Sequence, residues 1–261
     1  MATTTAAEPV FDIGRVVNRA IGVIGRNALP FFLISLICNL PYILMLGVAG
    51  TIQGGAQALF RDPGAALGTL GLLFASAIGW LVGAFVLQAA LTYGTIADLN
   101  GKRAGFGDSL MTGLSEFAPL LGLALLSALG IIGGYILLIV PGVMLAVAWS
   151  VIVPVRIVER LPILDCFGRS AALTRGHRWS VFGLMIIYFL ASAAISFGTG
   201  LIIGAAGAAG GAGTNAVSLM AESVGRLIAS VILSVGTASI YYELRSNKEG
   251  IGPEQLAAVF D

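Results

Sequence analysis

Glu222 and Arg226 stand one helical turn apart, so a carboxylate and a guanidinium can pair on one helix face. Ser230, Ser234 and Thr237 continue a polar stripe along the same side. Two chemistries fit. One is a water-filled cavity opening towards one face of a membrane; the other is an ion pair at the interface, with small residues packing neighbouring helices. Asn39 lies just before Pro41, and a proline frees the carbonyl four residues earlier. Asn39 can therefore repair the backbone or bind a ligand, while Gln88 suits an interhelical hydrogen bond. A polar cavity would draw on Glu222, Arg226, Ser230, Asn39 and Gln88. Arg169, Arg175 and Arg178, followed by Trp179, suit anionic lipid headgroups, each charge being worth about 1 kcal/mol near such a surface. His177, the single histidine, sits inside that basic group. It has neither the nucleophile nor the orienting partner that a general base needs.

Catalytic signatures are missing elsewhere too. The chain contains no HExxH, no GxxxxGK[ST], no GxSxG and no Cys/His cluster with metal spacing. The reading is therefore of a protein that is not an enzyme, with no catalytic residue, metal or cofactor. No Asp or Glu falls mid-span, which weakens proton- or sodium-coupled transport. No basic block offers a nucleic-acid surface. Cys38 and Cys166 are expected as free thiols, one in a span and one in a basic segment.

The elements that must position these residues follow from composition. The chain is 57% hydrophobic and 10% charged, against roughly 25% charged residues in soluble domains, so acyl chains are its solvent. A bilayer core of about 30 Å needs about 20 apolar residues as a helix. Six spans are expected in one polytopic domain covering 1–261, at about 28–52, 67–93, 117–140, 142–158, 180–203 and 216–242. Residues 1–10 carry no Lys or Arg, so no secretory signal is read there and the first span is expected to act as its own insertion signal. The fourth span is short and carries Pro154 and Arg156. Either Arg156 snorkels to the headgroups or the Pro141-Gly142 turn is recessed; snorkelling is the preferred reading.

Six spans sort the cations. Arg15, Arg19, Arg26, Lys102, Arg103, Arg156, Arg160, Arg169, Arg175, Arg178, Arg245 and Lys248 fall on one side, and Arg61 and Arg226 on the other. By the positive-inside rule both termini are cytoplasmic. The cytoplasmic segments are amphipathic. Ile13, Val16, Val17, Ala20, Ile21 and Ile24 form a stripe before the first span, and Phe106, Leu110, Met111, Leu114 and Phe117 one before the third, with Asp108 placed to cap it. A weaker stripe of Ile163, Cys166, Phe167 and Ala171 precedes the fifth. The expected architecture is all-α: six transmembrane helices as three hairpins, each preceded by a cytoplasmic amphipathic interfacial helix. The opposite side holds little: residues 53–66, a tight turn at Val140-Pro141-Gly142, and a Gly/Ala-rich loop at 204–214. Glycine pairs at Gly79/Gly83, Gly130/Gly134 and Gly200/Gly204 allow close helix approach. Among 36 glycines such pairs argue no dimer, and the oligomeric state stays open.

The stretch PGVMLAVAWSVIVPVRIVERLPILDCFGRSAALTRGHRWSVF resembles the membrane domain fused to some bacterial glycerophosphoryl diester phosphodiesterases, and related stand-alone membrane proteins. Pro141-Gly142, Pro154, Glu159, Arg169-Ser170 and Arg178-Trp179 carry the likeness, and the opening FDIGRVVNRAIGVIGRNALPFF is similar to the start of the stand-alone proteins. In the fused relatives catalysis belongs to a separate soluble domain, so no catalytic residue transfers. The resemblance implies a bacterial inner membrane and a connection to membrane-lipid upkeep. The expected function is to organise or sense lipids, anionic ones included, or to scaffold a membrane-protein partner. The alternative is a transporter or channel for a small or lipidic substrate.

Overall fold

The computed structural model describes residues 11–61, 63–102, 105–209 and 214–249, which hold ten helices and no strand. The expectations for residues 1–10, Arg103 and the central part of the 204–214 loop lie outside the described residues. Helices α1 (Ile13–Arg26), α2 (Ala28–Arg61), α3 (Pro63–Leu99), α4 (Phe106–Ser115) and α5 (Phe117–Leu137) form the first half. Helices α6 (Ile139–Ala148), α7 (Ile152–Glu159), α8 (Ile163–Thr174), α9 (Arg178–Ala209) and α10 (Thr214–Glu249) form the second. Six stretches are long and apolar enough to cross a membrane: Ala28–Met45, Ala66–Leu99, Phe117–Leu137, Ile139–Glu159, Arg178–Ala208 and Ala216–Glu249. The chain is a multi-pass α-helical membrane protein.

The long helices outrun the expected spans. Residues 53–61 and 63–66 are helical rather than a loop, and α9 continues through Ala209. Composition marks the apolar run, and a helix can continue beyond it. The join between α5 and α6 also moves. Leu138 is its one non-helical residue, extended at φ −169° and ψ 154°. Pro141-Gly142 is no turn; Pro141 sits in the first turn of α6, where a missing N–H costs nothing.

The fourth apolar stretch is broken. Between α6 and α7 the backbone tightens, with Ser150 N donating to Val147 O at 3.3 Å and Ile152 N to Trp149 O at 3.2 Å. Pro154 then falls in the first turn of α7. A proline further along would have removed a bond and clashed with the preceding turn, so the break lets the chain carry it.

Helix α10 belongs to both buried clusters. One gathers Val16, Leu123, Val151, Cys166, Leu184 and Tyr241; the other gathers Val23, Phe31, Ile34, Leu91 and Val235. Glycines set the closest approaches. A Cβ on Gly83 would overlap the Cys38 carbonyl oxygen, and one on Gly79 would come within 2.9 Å of Pro41 Cβ. A Cβ on Gly134 would stand 2.9 Å from Gly142 Cα. Gly200 and Gly204 face open space. Two of the three glycine pairs are thus spent on packing inside the chain.

The packed faces of the short helices follow the stripes in part. On α4 the small Ser109 and Gly113 face inward, while Met111 is 70% exposed and Leu114 54%. Gly105, not Asp108, holds its N-cap position. On α1 Val16, Ala20 and Val23 are buried, whereas Ile21 is 63% exposed; Asp12 caps this helix by accepting from Arg15 N at 3.2 Å. On α8 the buried Ser170 and Thr174 donate to Ala148 O, at 2.8 and 3.4 Å. Of the stripe on α8, Cys166 is buried and Ile163 and Phe167 pack against the first cluster; on α1 and α4 part of the stripe faces outward, which acyl chains as apolar as leucine accept.

Both cysteines are free and buried. Burial, with Glu159 and Asp165 nearby, pushes the Cys166 thiol above its ordinary range, against the pull of Arg156. The expected result is slow maleimide labelling at mildly alkaline pH in mild detergent, faster by roughly tenfold or more once SDS exposes the thiol. Equal rates before and after unfolding would contradict the packing of α8.

Candidate functional site: a polar cavity and a basic collar

Glu222, Arg226 and Ser230 repeat at four-residue spacing on α10, so they share one face. That face meets Ser196, Thr199, Gly200 and Ile203 of α9 around a cavity of about 520 Å³. Gly225 holds α9 close, since a Cβ there would come within 2.5 Å of Thr199 Cγ2. The ion pair expected between Glu222 and Arg226 is not formed among the described residues. Instead Tyr42 Oη donates to Glu222 Oε1 at 2.6 Å. The Arg226 guanidinium stands 3.9 Å over the Tyr42 ring and 5.3 Å from the Trp80 ring. Aromatic faces and a phenol thus take the places that two opposite charges were expected to fill for each other.

Asn39 and Gln88 do not line this cavity. Asn39 is buried and donates to Ser35 O at 2.8 Å, bonding back within its own helix. Ser35 Oγ lies 3.0 Å from Ser230 Oγ, so Asn39 reaches the cavity wall only through one hydroxyl relay. Gln88 is half-buried on α3. Tyr42, Trp80 and Ser35 escaped the sequence reading; a tyrosine beside Pro41 was the available signal, but nothing in the sequence pairs it with α10.

At the other end of α10 the arginines meet carboxylates. Glu243, 1% exposed, accepts from Arg15 Nε at 2.8 Å and from Arg19, tying α1 to α10. Arg26 pairs with Asp98 at 2.5 Å, where Asn27 Nδ2 also donates at 2.8 Å. Arg156, near the end of the fourth apolar stretch, has protein partners. Its Nε bonds Glu116 Oε2 and its Nη1 the Leu161 carbonyl, both at 2.7 Å. Glu159 accepts from Tyr241 Oη at 2.9 Å and from Arg169 Nε at 2.7 Å, and Arg169 also meets Glu249, which Arg245 Nε bonds at 2.9 Å. Burial opposes the charge on Arg169, but the two carboxylates outweigh it and hold its pKa above the ordinary range. A collar of ion pairs therefore involves α1, α3, α7, α8, α10 and the α4–α5 junction.

The four residues expected at headgroups divide. Arg169 is committed to Glu159 and Glu249. Arg175, exposed at the C-cap of α8, and Arg178, opening α9, have no carboxylate partner among the described residues. The Arg178 Nε is buried without a hydrogen-bond partner. Trp179 is 85% exposed and meets the Phe182 ring edge-on. His177 stacks on Phe11, with ring centroids 5.4 Å apart. Asp98, Glu116, Glu159 and Glu243 were missed as partners: the first three lie at helix ends and Glu243 inside α10, and nothing in the sequence says which arginine each faces. No group of three potential metal ligands occurs among the described residues. No known protein family, curated protein or solved structure matches the chain.

Proposed function

We propose that this chain is a non-enzymatic protein of the bacterial inner membrane, with cytoplasmic termini, that organises or senses lipids or scaffolds other membrane proteins. Its helices act as three hairpins, each led by an amphipathic helix at the cytoplasmic interface. Arg175, Arg178 and Trp179 contact anionic headgroups, and Arg169 supports that surface from within the collar. The sorting of cations to one side supports the orientation, and the likeness of 141–182 to a lipid-linked membrane domain supports the setting.

One observation carries the reading: the collar neutralises most nearby arginines, yet among the described residues no carboxylate meets Arg175 or Arg178, beside an exposed Trp179. Extraction in native nanodiscs followed by lipid analysis tests it. Removing the two charges with R175Q and R178Q is expected to lower anionic-lipid enrichment roughly fivefold per arginine, from about 1 kcal/mol each. Unchanged enrichment in the folded double variant would overturn the reading.

A second reading, a transporter or channel for a small or lipidic substrate, rests on the cavity beside Glu222, Arg226 and Ser230. A cysteine at Ser230 is then expected to react with a water-soluble maleimide in intact membranes, and proteoliposomes to show flux that E222Q abolishes. A dry Ser230 position without flux would remove this reading.

A further inference from the structure

Between α6 and the start of α9 runs a groove of about 320 Å³. Its walls are Val140, Val143, Met144 and Val147 on one side and Phe182 on the other, with Arg178 and Trp179 at its edge. The walls are apolar apart from the Arg178 side chain. Residues 140, 143, 144 and 147 share one face of α6 by their spacing. That helix is held by the break at 149–151 and by the Ser170 and Thr174 hydroxyls on Ala148 O.

We infer that this groove is a specific binding site for one phospholipid of net negative charge, its phosphate on Arg178 and one acyl chain along α6. Three features single out that occupant. The groove wall offers an acyl chain methyl and methylene contacts but no hydrogen-bonding group along its length. Arg178 lines the groove with a guanidinium that meets no carboxylate among the described residues, and a phosphate supplies the countercharge. Arg15, Arg19, Arg26, Arg156, Arg169 and Arg245 all meet carboxylates; the arginine at this groove meets none among the described residues. Trp179 at the edge is the amphipathic ring type that sits at headgroup level. The inference rests on the proposed contact of Arg178 and Trp179 with headgroups and adds to it a defined cleft, a stoichiometry and a chain-binding wall.

The test uses the full-length protein in nanodiscs of mixed phosphatidylethanolamine and phosphatidylglycerol, with bound lipid read by native mass spectrometry after release into detergent. The unaltered protein is expected to retain phosphatidylglycerol at one molecule per chain. V143W, which fills the groove without touching charge, is expected to lose that molecule, and R178Q to keep it about tenfold less often. R175Q is expected to leave this one molecule in place while lowering the general enrichment of anionic lipid. A benzoylphenylalanine at Met144, which is 48% exposed, is expected to crosslink phospholipid in native membranes.

Retention undiminished in V143W, with R178Q still lowering general enrichment, would overturn the groove and leave the headgroup reading standing. Enrichment indifferent to R175Q and R178Q alike would remove the headgroup reading and this inference together. A protein adduct at Met144, whether a second copy or another chain, would assign the groove to a helix and overturn the inference. V143A, which enlarges the groove, guards against a folding artefact: it is expected to retain the lipid, and loss in V143A as well would overturn the fit.

Discussion

Replacing Arg15 and Arg19 together by alanine will destabilise the folded protein by about 3–5 kcal/mol, the cost of breaking a buried ion pair from one side. Glu243 is 1% exposed and both of its oxygens are taken by these two guanidiniums. Without them the carboxylate keeps Asn247 Nδ2, at 3.4 Å, in place of two guanidiniums. The opposite change is milder. E243Q leaves Arg15 and Arg19 already in part solvated, with side chains 41% and 31% exposed, and is expected to cost about 1–2 kcal/mol as a lost charged hydrogen bond. The triple variant R15A/R19A/E243Q should recover most of the double variant's loss, because no unpaired charge remains. SDS titration of the reconstituted protein checks all three. A double variant no weaker than E243Q would show that Glu243 is solvated and that α1 is not held by it.

Gly83→Ala is expected to cost about 3 kcal/mol or more, at the upper end for overpacking. The added methyl would overlap the Cys38 carbonyl oxygen, and backbone cannot turn aside as a side chain can. Helices α2 and α3 would have to separate along the crossing that also seats Pro41 against Gly79. Gly79→Ala meets Pro41 Cβ at 2.9 Å and should cost about 1 kcal/mol. Gly204→Ala meets nothing within 4 Å and should be neutral or stabilising by up to about 1 kcal/mol, since alanine is the better helix former. The same unfolding titration ranks them. Equal effects at Gly83 and Gly204 would refute the close crossing of α2 and α3.

The three glycine pairs show what spacing can and cannot reveal. In sequence they are alike; in the fold Gly79/Gly83 and Gly130/Gly134 meet neighbours and Gly200/Gly204 do not. Spacing puts two small residues on one helix face, but a partner must be supplied by another helix. The polar residues behave in the same way. Glu222, Arg226 and Ser230 line one cavity because they lie on one helix, where periodicity is a distance. Asn39 and Gln88 were added from other helices and do not line the cavity. Arg156 shows the same limit, for Glu116, forty residues earlier, meets it at 2.7 Å. Its carboxylate was visible in the sequence; the pairing was not.

Composition and run length by themselves determined that the chain is helical, that its solvent is lipid and that it holds six stretches long enough to cross. Those properties depend on residue type and local periodicity, and in acyl chains a backbone has to satisfy its own hydrogen bonds. Tertiary structure decided which arginines are spent on carboxylates and which stay unpaired, where the fourth stretch breaks, and which face of each short helix is packed. The physical reason is that hydrophobicity does not distinguish a lipid from a neighbouring helix. Inside this bundle the choice falls to close glycine contacts, hydroxyl bonds and paired charges, and each of these is defined only by residues far apart in the chain.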